Sequence, residues 1–226
     1  MNKKVFILIA AFNEEKAIGN VIEDLHSQGY LNIVVVDDGS RDGTAAEALK
    51  RGVDVLSHIV NRGKGAALQT GTDYILSKDA DIIVHFDADG QHRAEDIKHL
   101  IKPIIDGSAD VVFGSRFLGV AENIPFLRKL LLKLGRIYTN LFFGAALSDT
   151  HNGLRAFKID VFKKIVLTED RFAYASELVE KVIKNRFLYR EVPVNINYSE
   201  YSLGKGQKNI NAVSIVFRDL KRRIGR

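Results

Sequence analysis

The sequence contains no cysteine. That excludes a disulfide-stapled scaffold, a thiolate zinc site and a cysteine nucleophile together, and it is compatible with a reducing compartment. Long apolar runs are missing too. No window reaches the roughly 18 to 20 residues needed to span a bilayer, so any membrane contact is expected to be peripheral. The N-terminal run Val5-Phe6-Ile7-Leu8-Ile9-Ala10-Ala11 has the composition of a signal-peptide core, but Asn13-Glu14-Glu15 stops it after seven apolar residues. It reads as a buried first strand. A Gly-x-x-x-x-Gly-Lys-Ser/Thr loop is absent, and no Gly-x-Gly-x-x-Gly follows the first strand, which argues against a kinase-like NTPase and a dinucleotide oxidoreductase. There is no internal repeat and no low-complexity linker.

What is present is the balance of a folded domain: 226 residues, 46% hydrophobic and 27% charged, with 33 Lys and Arg against 28 Asp and Glu and a net charge of +5. One domain over 1–226 is expected. Short apolar runs alternate with amphipathic helices, the pattern of an α/β fold on a mostly parallel sheet with helices on both faces. Strands are predicted at Val5–Ala11, Ile33–Val36, Val53–Leu56, Ile82–Phe86 and Val111–Phe113, each apolar on both faces. Helices are predicted over Glu14–Gln28, Gly43–Arg51, Gly65–Ser77 and Glu95–Ile105, with Ser40 and Asp42 as N-cap candidates for the second. After Phe117 the rhythm changes. Pro125–Leu147 reads as one helical stretch, Phe187–Tyr198 as a strand or hairpin around Pro193, then a polar stretch Ser199–Lys208 and a final amphipathic helix. The part of the chain after Phe117 is therefore expected to carry specificity.

Ligands of open α/β sheets sit at the carboxyl ends of the strands. Three polar clusters fall there: Phe12-Asn13-Glu14-Glu15, Asp37-Asp38-Gly39-Ser40 and Asp87-Ala88-Asp89-Gly90-Gln91-His92. For Asp37, Ser40 and Asp42, simple turn and capping chemistry is as good an explanation as ligand binding. Asp87 and Asp89, two residues apart at a strand exit, point to a hard divalent cation, Mg²⁺ or Mn²⁺, bridging phosphate oxygens and neutralising charge on a departing phosphate. Asn61-Arg62-Gly63-Lys64-Gly65 precedes a helix and is read either as a phosphate contact through Lys64 and backbone amides or as a solvated turn. Arg116 after the fifth strand is read as a phosphate or carboxylate fork, or as a surface ion pair. Asp149-Thr150-His151-Asn152-Gly153-Leu154-Arg155 gathers polar groups around a glycine, with His151 more readily a core histidine than a catalyst. Gly204-Lys205-Gly206-Gln207-Lys208 has the composition of a phosphate-gripping lid.

Taken in order, Ala-Phe-Asn-Glu-Glu, Asp-Asp-Gly-Ser-x-Asp-Gly-Thr, Asn-x-Gly-Lys-Gly, Asp-Ala-Asp-Gly-Gln-His, Gly-Ser-Arg and Gly-Lys-Gly resemble glycosyltransferase family 2, nearest to its dolichyl-phosphate mannose synthase branch. The resemblance covers nearly the whole chain. It implies a GT-A fold, a nucleotide-diphosphate sugar donor (GDP- or UDP-sugar), a divalent metal and inversion by one direct displacement. It implies nucleoside contacts at Ala10, Phe12 and Glu14, Asp38 as partner of the base or ribose, and Asp87 and Ala88 against the nucleotide. Asp89 and Gln91 would hold the metal, Arg116 phosphate or sugar, and Lys205 would come from a closing loop. Ala10 and Phe12 stand where proline and tyrosine are common in that branch. With no Trp, the Gln-x-x-Arg-Trp motif of processive polysaccharide synthases is excluded.

The leading expectation is transfer to a polyprenyl phosphate, whose oxygen is already ionised near neutral pH and needs positioning more than a base. A sugar-hydroxyl acceptor would need a carboxylate base, with Asp149 or Glu177 as candidates. A sugar-nucleotide pyrophosphorylase is disfavoured because the loop after the first strand is acidic, and a non-catalytic nucleotide-binding module because Asp87-Ala88-Asp89 is intact. Arg128, Lys129, Lys133 and Arg136, interleaved with leucines from Phe126 on, together with the Lys221-Arg222-Arg223 tail, suggest a cytoplasmic protein attached to the inner membrane face; packing of that stretch as a core helix is the competing reading. No nucleic-acid partner is expected, and homo-oligomerisation is left open.

Overall fold

The computed structural model describes residues 3–122, 133–134, 136–137, 140, 144–171 and 173–198. The strands are β1 (Val5–Ala11), β2 (Ile33–Asp37), β3 (Asp54–Ser57), β4 (Ile82–Asp87), β5 (Val111–Ser115), β6 (Ala121–Glu122), β7 (Arg155–Lys158), β8 (Tyr189–Pro193) and β9 (Ile196–Asn197). The helices are α1 (Ile18–Ser27), α2 (Thr44–Leu49), α3 (Lys64–Leu76), α4 (Ile97–Ile105), α5 (Ile159–Phe162) and α6 (Tyr174–Lys184), with a 3₁₀ turn at Ala94–Asp96 leading into α4. Seven strands make one sheet in the order β3-β2-β1-β4-β7-β5-β8, and β6 pairs with β9 apart from it. Every pairing in the large sheet is parallel except those of β7, which runs antiparallel between β4 and β5. This is the mostly parallel, doubly covered sheet of the GT-A fold.

The twofold alternation of side chains along a strand divides the core. Ile7, Ile9 and Ala11 of β1 pack with Ile18, Ile22 and Leu25 of α1 and Leu100 of α4, whereas Phe6 and Leu8 pack on the opposite face with Ala67 and Leu68 of α3 and Leu178 of α6. Both faces are buried, so β1, β2 and β4 are apolar except for His85 and the terminal Asp37 and Asp87. At Gly71 of α3 a Cβ would lie 2.1 Å from a methyl carbon of Leu8, so that glycine lets the helix lie close to the sheet.

Several boundaries differ from expectation for local reasons. The α1 helix starts at Ile18 rather than Glu14, because the Glu14 carbonyl accepts from the amides of Ala17 and Ile18 (both 2.9 Å) in a preceding turn. Neither Ser40 nor Asp42 is the N-cap of α2, a position held by Gly43. Asp42 instead accepts from the Thr44 amide two residues on (3.1 Å), and Ser40 ties to Asn13. β3 is not covered on both faces; it is the sheet edge, with Asp54 and Ser57 exposed. Tyr189–Pro193 and Ile196–Asn197 do not form a hairpin: β8 extends the large sheet beside β5, and β9 turns away to β6. Of the stretch Pro125–Leu147, residues 133–134, 136–137 and 140 are helical, but 144–147 are not, and Gly144 has φ +66°. The expected polar stretch Ser199–Lys208, the terminal helix and the basic tail lie outside the described residues.

His85 of β4 is 2% exposed, both ring nitrogens lack hydrogen-bond partners, and the ring packs against Phe157 and Phe162 at 4.8 and 5.7 Å between centroids. Burial, reinforced by the charges of Arg155 and Lys64, pushes its pKa down to about 3. The unfolded chain therefore binds one more proton than the folded one between about pH 3 and 6.5, and stability falls with acidification through that window at about 1.4 kcal/mol per pH unit for this one group. Urea unfolding of His85→Leu between pH 4 and 7 should show a slope shallower by one proton. Parallel pH profiles for the two proteins would exclude His85 as the titrating group.

Candidate active site

The parallel strands bring their carboxyl ends to one edge, and the loops there brace one another. Asn13, just past β1, has φ +54°, a left-handed conformation that asparagine tolerates better than most residues. Its amide donates to Ser40 Oγ (2.8 Å), its Oδ1 accepts from the Arg41 amide (2.9 Å), and the Glu14 amide donates to Thr44 Oγ1 (2.7 Å). The loops after β1 and β2 are thereby locked together. Glu14 is buried, Ala10 half-buried and Phe12 43% exposed, so an aromatic face is available on this rim.

Asp38 has a structural task. Its Oδ1 accepts from His58 Nδ1 (2.7 Å) and the Arg62 amide (2.9 Å), its Oδ2 from Asn61 Nδ2 (2.9 Å) and the Gly63 amide (2.7 Å). All four lone-pair positions of the carboxylate are engaged within the chain. A nucleoside reaching Asp38 would have to share it with the loop 58–63. That loop does not present an open anion cradle at α3 either: the Ala66 amide donates to the Asp170 carbonyl (3.0 Å), and a Cβ on Gly65 would sit 1.9 Å from the Glu169 carbonyl oxygen. Segment 169–171 covers the helix start, so of the two readings of Asn61–Gly65 neither a bare phosphate nest nor a solvated turn describes it.

Lys64 turns inward instead. Its ammonium meets Asp87 Oδ1 at 2.5 Å, while His92 Nε2 lies 3.2 Å from Asp87 Oδ2. Burial alone would raise the Asp87 pKa, but Lys64 and His92 hold it well below the usual carboxylate range. Burial likewise works against the Lys64 charge, and the Asp87 carboxylate more than reverses this, keeping the ammonium above the ordinary lysine range. Gly153 closes the third side, because a Cβ there would lie 2.2 Å from Asp87 Oδ1. Ala88 is buried, and Asp89 accepts from the Gln91 amide (3.1 Å) and Nε2 (2.7 Å). Asp89 has no ion-pair partner among the described residues. Its pKa is raised, by burial first and by the neighbouring Asp87 charge second.

Arg116 is not a surface ion pair. It is 6% exposed, its Nε donates to Asp149 Oδ2 (2.6 Å), its Nη1 donates to the Tyr198 hydroxyl (2.5 Å), and its amide also reaches Asp149 (3.1 Å). Glu191 of β8 supports this pair by accepting from the amides of Ser148 and Asp149. Tyr198 and Glu191 are the members that residue reasoning missed; His92 and Gly153 stood in the Asp87–His92 and Asp149–Arg155 clusters but were given no role. His151 is neutral, its pKa pushed down to about 4 by burial with Arg155 and Arg116 opposing its charge. Lys205 lies outside the described residues. Beyond Gln91 a cavity of about 230 Å³ is lined by Arg93, Val120, Asn195, Ile196 and Asn197.

Among the described residues no three His, Asp or Glu side chains gather into a closed metal cage. An open site fits better: Mg²⁺ and Mn²⁺ are commonly held by one or two carboxylates with phosphate and water completing the shell. Asp89, half-buried, without an ion-pair partner among the described residues and beside Asp87, is such a carboxylate. Gln91 could add its Oε1 after an amide flip, since the orientation shown is the one that serves Asp89 without a cation.

Residues 6–166 match the family model described as glycosyl transferase family 2. A UDP-N-acetylglucosamine–dolichyl-phosphate N-acetylglucosaminyltransferase from Methanococcus voltae is 36% identical, the alignment covering 100% of this chain and 98% of that protein. A polyprenol monophosphomannose synthase from Mycolicibacterium smegmatis is 30% identical over 90% of this chain and 81% of its own length. Among solved structures, the glucosyl-3-phosphoglycerate synthase of Mycobacterium tuberculosis, crystallised with Mn²⁺, UDP and glucosyl-3-phosphoglycerate, superposes with a TM-score of 0.76 at 16% identity, over 96% of this chain and 77% of that one. At that identity the likeness speaks for the fold.

The contact at Gly153 gives a direct test of this geometry. Gly153→Ala should cost about 1–3 kcal/mol of stability by driving a methyl group into Asp87. In an Asp87→Ala background the same change should be nearly silent. Equal losses in both backgrounds, read by urea unfolding, would place the clash elsewhere.

Proposed function

The chain belongs to glycosyltransferase family 2, and from that membership we propose that it transfers one sugar from a nucleoside-diphosphate donor to a polyprenyl phosphate, with inversion at the anomeric carbon. The acceptor class rests on one observation above all: neither carboxylate that could activate a hydroxyl acceptor is available. Asp149 is 2% exposed and paired to Arg116. Glu177 faces Lys181 at 2.7 Å and accepts from the amides of Thr168 (2.9 Å) and Glu169 (2.9 Å), contacts that outweigh burial and hold its pKa below the usual range. A phosphate acceptor needs no such base, because its oxygen is already a nucleophile near neutral pH. The two relatives named above, whose names include dolichyl phosphate and polyprenol, support the same choice.

In this reading the donor lies across the carboxyl edge with its base near Ala10, Phe12 and Glu14. Asp87 and Ala88 border the nucleotide, and Lys64 keeps Asp87 ionised and fixed. Asp89 and Gln91 would hold Mg²⁺ or Mn²⁺, which would supply neutralisation of charge on the departing diphosphate. Arg116, with Nε and Nη1 engaged by Asp149 and Tyr198, offers Nη2 to a phosphate or sugar oxygen. These contacts orient the anomeric carbon toward the incoming phosphate, so catalysis is by positioning and electrostatics. Lys205 would join from its own loop. UDP- and GDP-sugars are both candidate donors.

Incubation with Mn²⁺ or Mg²⁺, UDP- or GDP-sugars and a short polyprenyl phosphate should release nucleoside diphosphate and form a glycolipid. Asp89→Asn should lower turnover by about three orders of magnitude, the scale of losing several kcal/mol of leaving-group stabilisation. Full activity in excess EDTA would rule out the metal, and efficient transfer to a simple sugar alcohol would redirect the acceptor assignment.

We further propose a cytoplasmic protein that attaches reversibly to the inner membrane face. No helix among the described residues is long and apolar enough to cross a membrane. Leu118, Val120, Leu134 and Ile137 are each more than half exposed, close in sequence to the basic Arg128, Lys129, Lys133 and Arg136. Anionic headgroups would attract each basic residue by about 1 kcal/mol. Binding to anionic liposomes should exceed binding to neutral ones, weaken with salt, and be lost when the four basic residues become Gln. Equal recovery in the supernatant with both liposome types would refute attachment.

A further inference from the structure

Arg155 is the largest side chain among the described residues with less than 2% exposure, and no carboxylate pairs with it. Its Nε donates to the Asn152 carbonyl (2.8 Å) and its Nη2 to the Thr150 carbonyl (3.0 Å), while Nη1 has no partner. The rings of Phe113 and Tyr174 flank the guanidinium at 5.7 and 5.6 Å. Its cross-strand neighbour is His85, whose two ring nitrogens have no hydrogen-bond partner. A charge enclosed in this way costs the fold more than an apolar side chain of similar volume would. Stability alone does not account for it.

The two carbonyls it grips belong to the loop between Asp149 and Leu154. That loop reaches both sides of the site: Asp149 pairs with Arg116, and Gly153 abuts Asp87. We propose that Arg155 is a positioning residue, holding this loop so that Arg116 and Asp87 keep a fixed separation across the donor site. The planar fork suits the task because two carbonyls two residues apart are held by two nitrogens of one rigid group. This rests on the reading that Arg116 and Asp87 serve the sugar donor.

The test uses the full chain with Arg155→Met and Arg155→Lys. The Met variant should keep or raise the thermal midpoint, since it removes an enclosed charge. In ligand-free protein, amide hydrogen exchange at His151 and Leu154 should speed up by at least about tenfold in both variants while β1 and β4 stay protected. With donor and acceptor, kcat should fall by at least about thirtyfold with less than about threefold change in donor KM, the pattern of lost transition-state alignment. Lys should not rescue kcat, because a point charge cannot hold both carbonyls. A midpoint lowered by more than about 5 °C in both variants would make Arg155 a stability residue and overturn the proposal, as would unchanged loop exchange. If the unaltered protein turns over no sugar nucleotide, the proposed reaction falls, and the exchange data still decide whether Arg155 holds the loop.

Discussion

The site is organised around one carboxylate. Asp87 ends the central strand β4 and is met by Lys64 from the start of α3, by His92 from the loop that follows it, and by Gly153 from a loop more than sixty residues later in the chain. Because Lys64 neutralises it, Asp87 serves as a fixed post. Its neighbour Asp89 is then the carboxylate left without a counter-charge, raised in pKa by burial and by Asp87 itself. Two carboxylates two residues apart thus divide the work, one internally compensated and the other suited to an added cation.

Rigidity at the rim comes from similar devices. Asp38 binds the loop 58–63 with four hydrogen bonds, and Asn13 with Ser40, Arg41 and Thr44 knits the first two strand ends together. On the other side Val194–Tyr198 stitches late sequence onto early: the Asn197 amide donates to the Gln91 carbonyl (3.0 Å), the Asn195 amide to Asp96 (2.8 Å), and Tyr198 receives Arg116. In the proposed reading, the groups that would meet the donor's diphosphate are therefore held before it arrives, which is what electrostatic catalysis requires.

Much of this was legible in the sequence, for identifiable reasons. Four of the five predicted parallel strands are short β-branched or aromatic runs buried on both faces, β3 at the sheet edge being the exception, and the acidic residues at the strand ends follow from the geometry of parallel sheets. β7 was hidden because Arg155-Ala-Phe-Lys carries charges whose burial or pairing is set by strands far away in sequence, whereas the strand around Pro193 was legible and only its partner β5 was not. The tie between Asp38 and its loop escaped for a related reason: a motif shows that a carboxylate stands at a strand end, and only the fold shows that four donors already occupy it. Arg116 was expected to face a ligand or solvent, and its long-range partners Asp149 and Tyr198 lie 33 and 82 residues away.

Charge balance carries the argument one step further. Lys64 with Asp87 and Arg116 with Asp149 form two internally neutral pairs, and burial keeps His85 and His151 uncharged, with pKa values of about 3 and 4. Asp89 has no ion-pair partner among the described residues, and the Arg155 guanidinium is enclosed by protein. A nucleoside diphosphate would bring about two negative charges to this edge. In the proposed reading Asp89 would anchor a divalent cation that neutralises these charges, with Lys205 joining from its own loop. The same carboxylate disfavours diphosphate without the cation. Donor affinity should therefore depend on metal more steeply than the number of protein ligands alone would suggest.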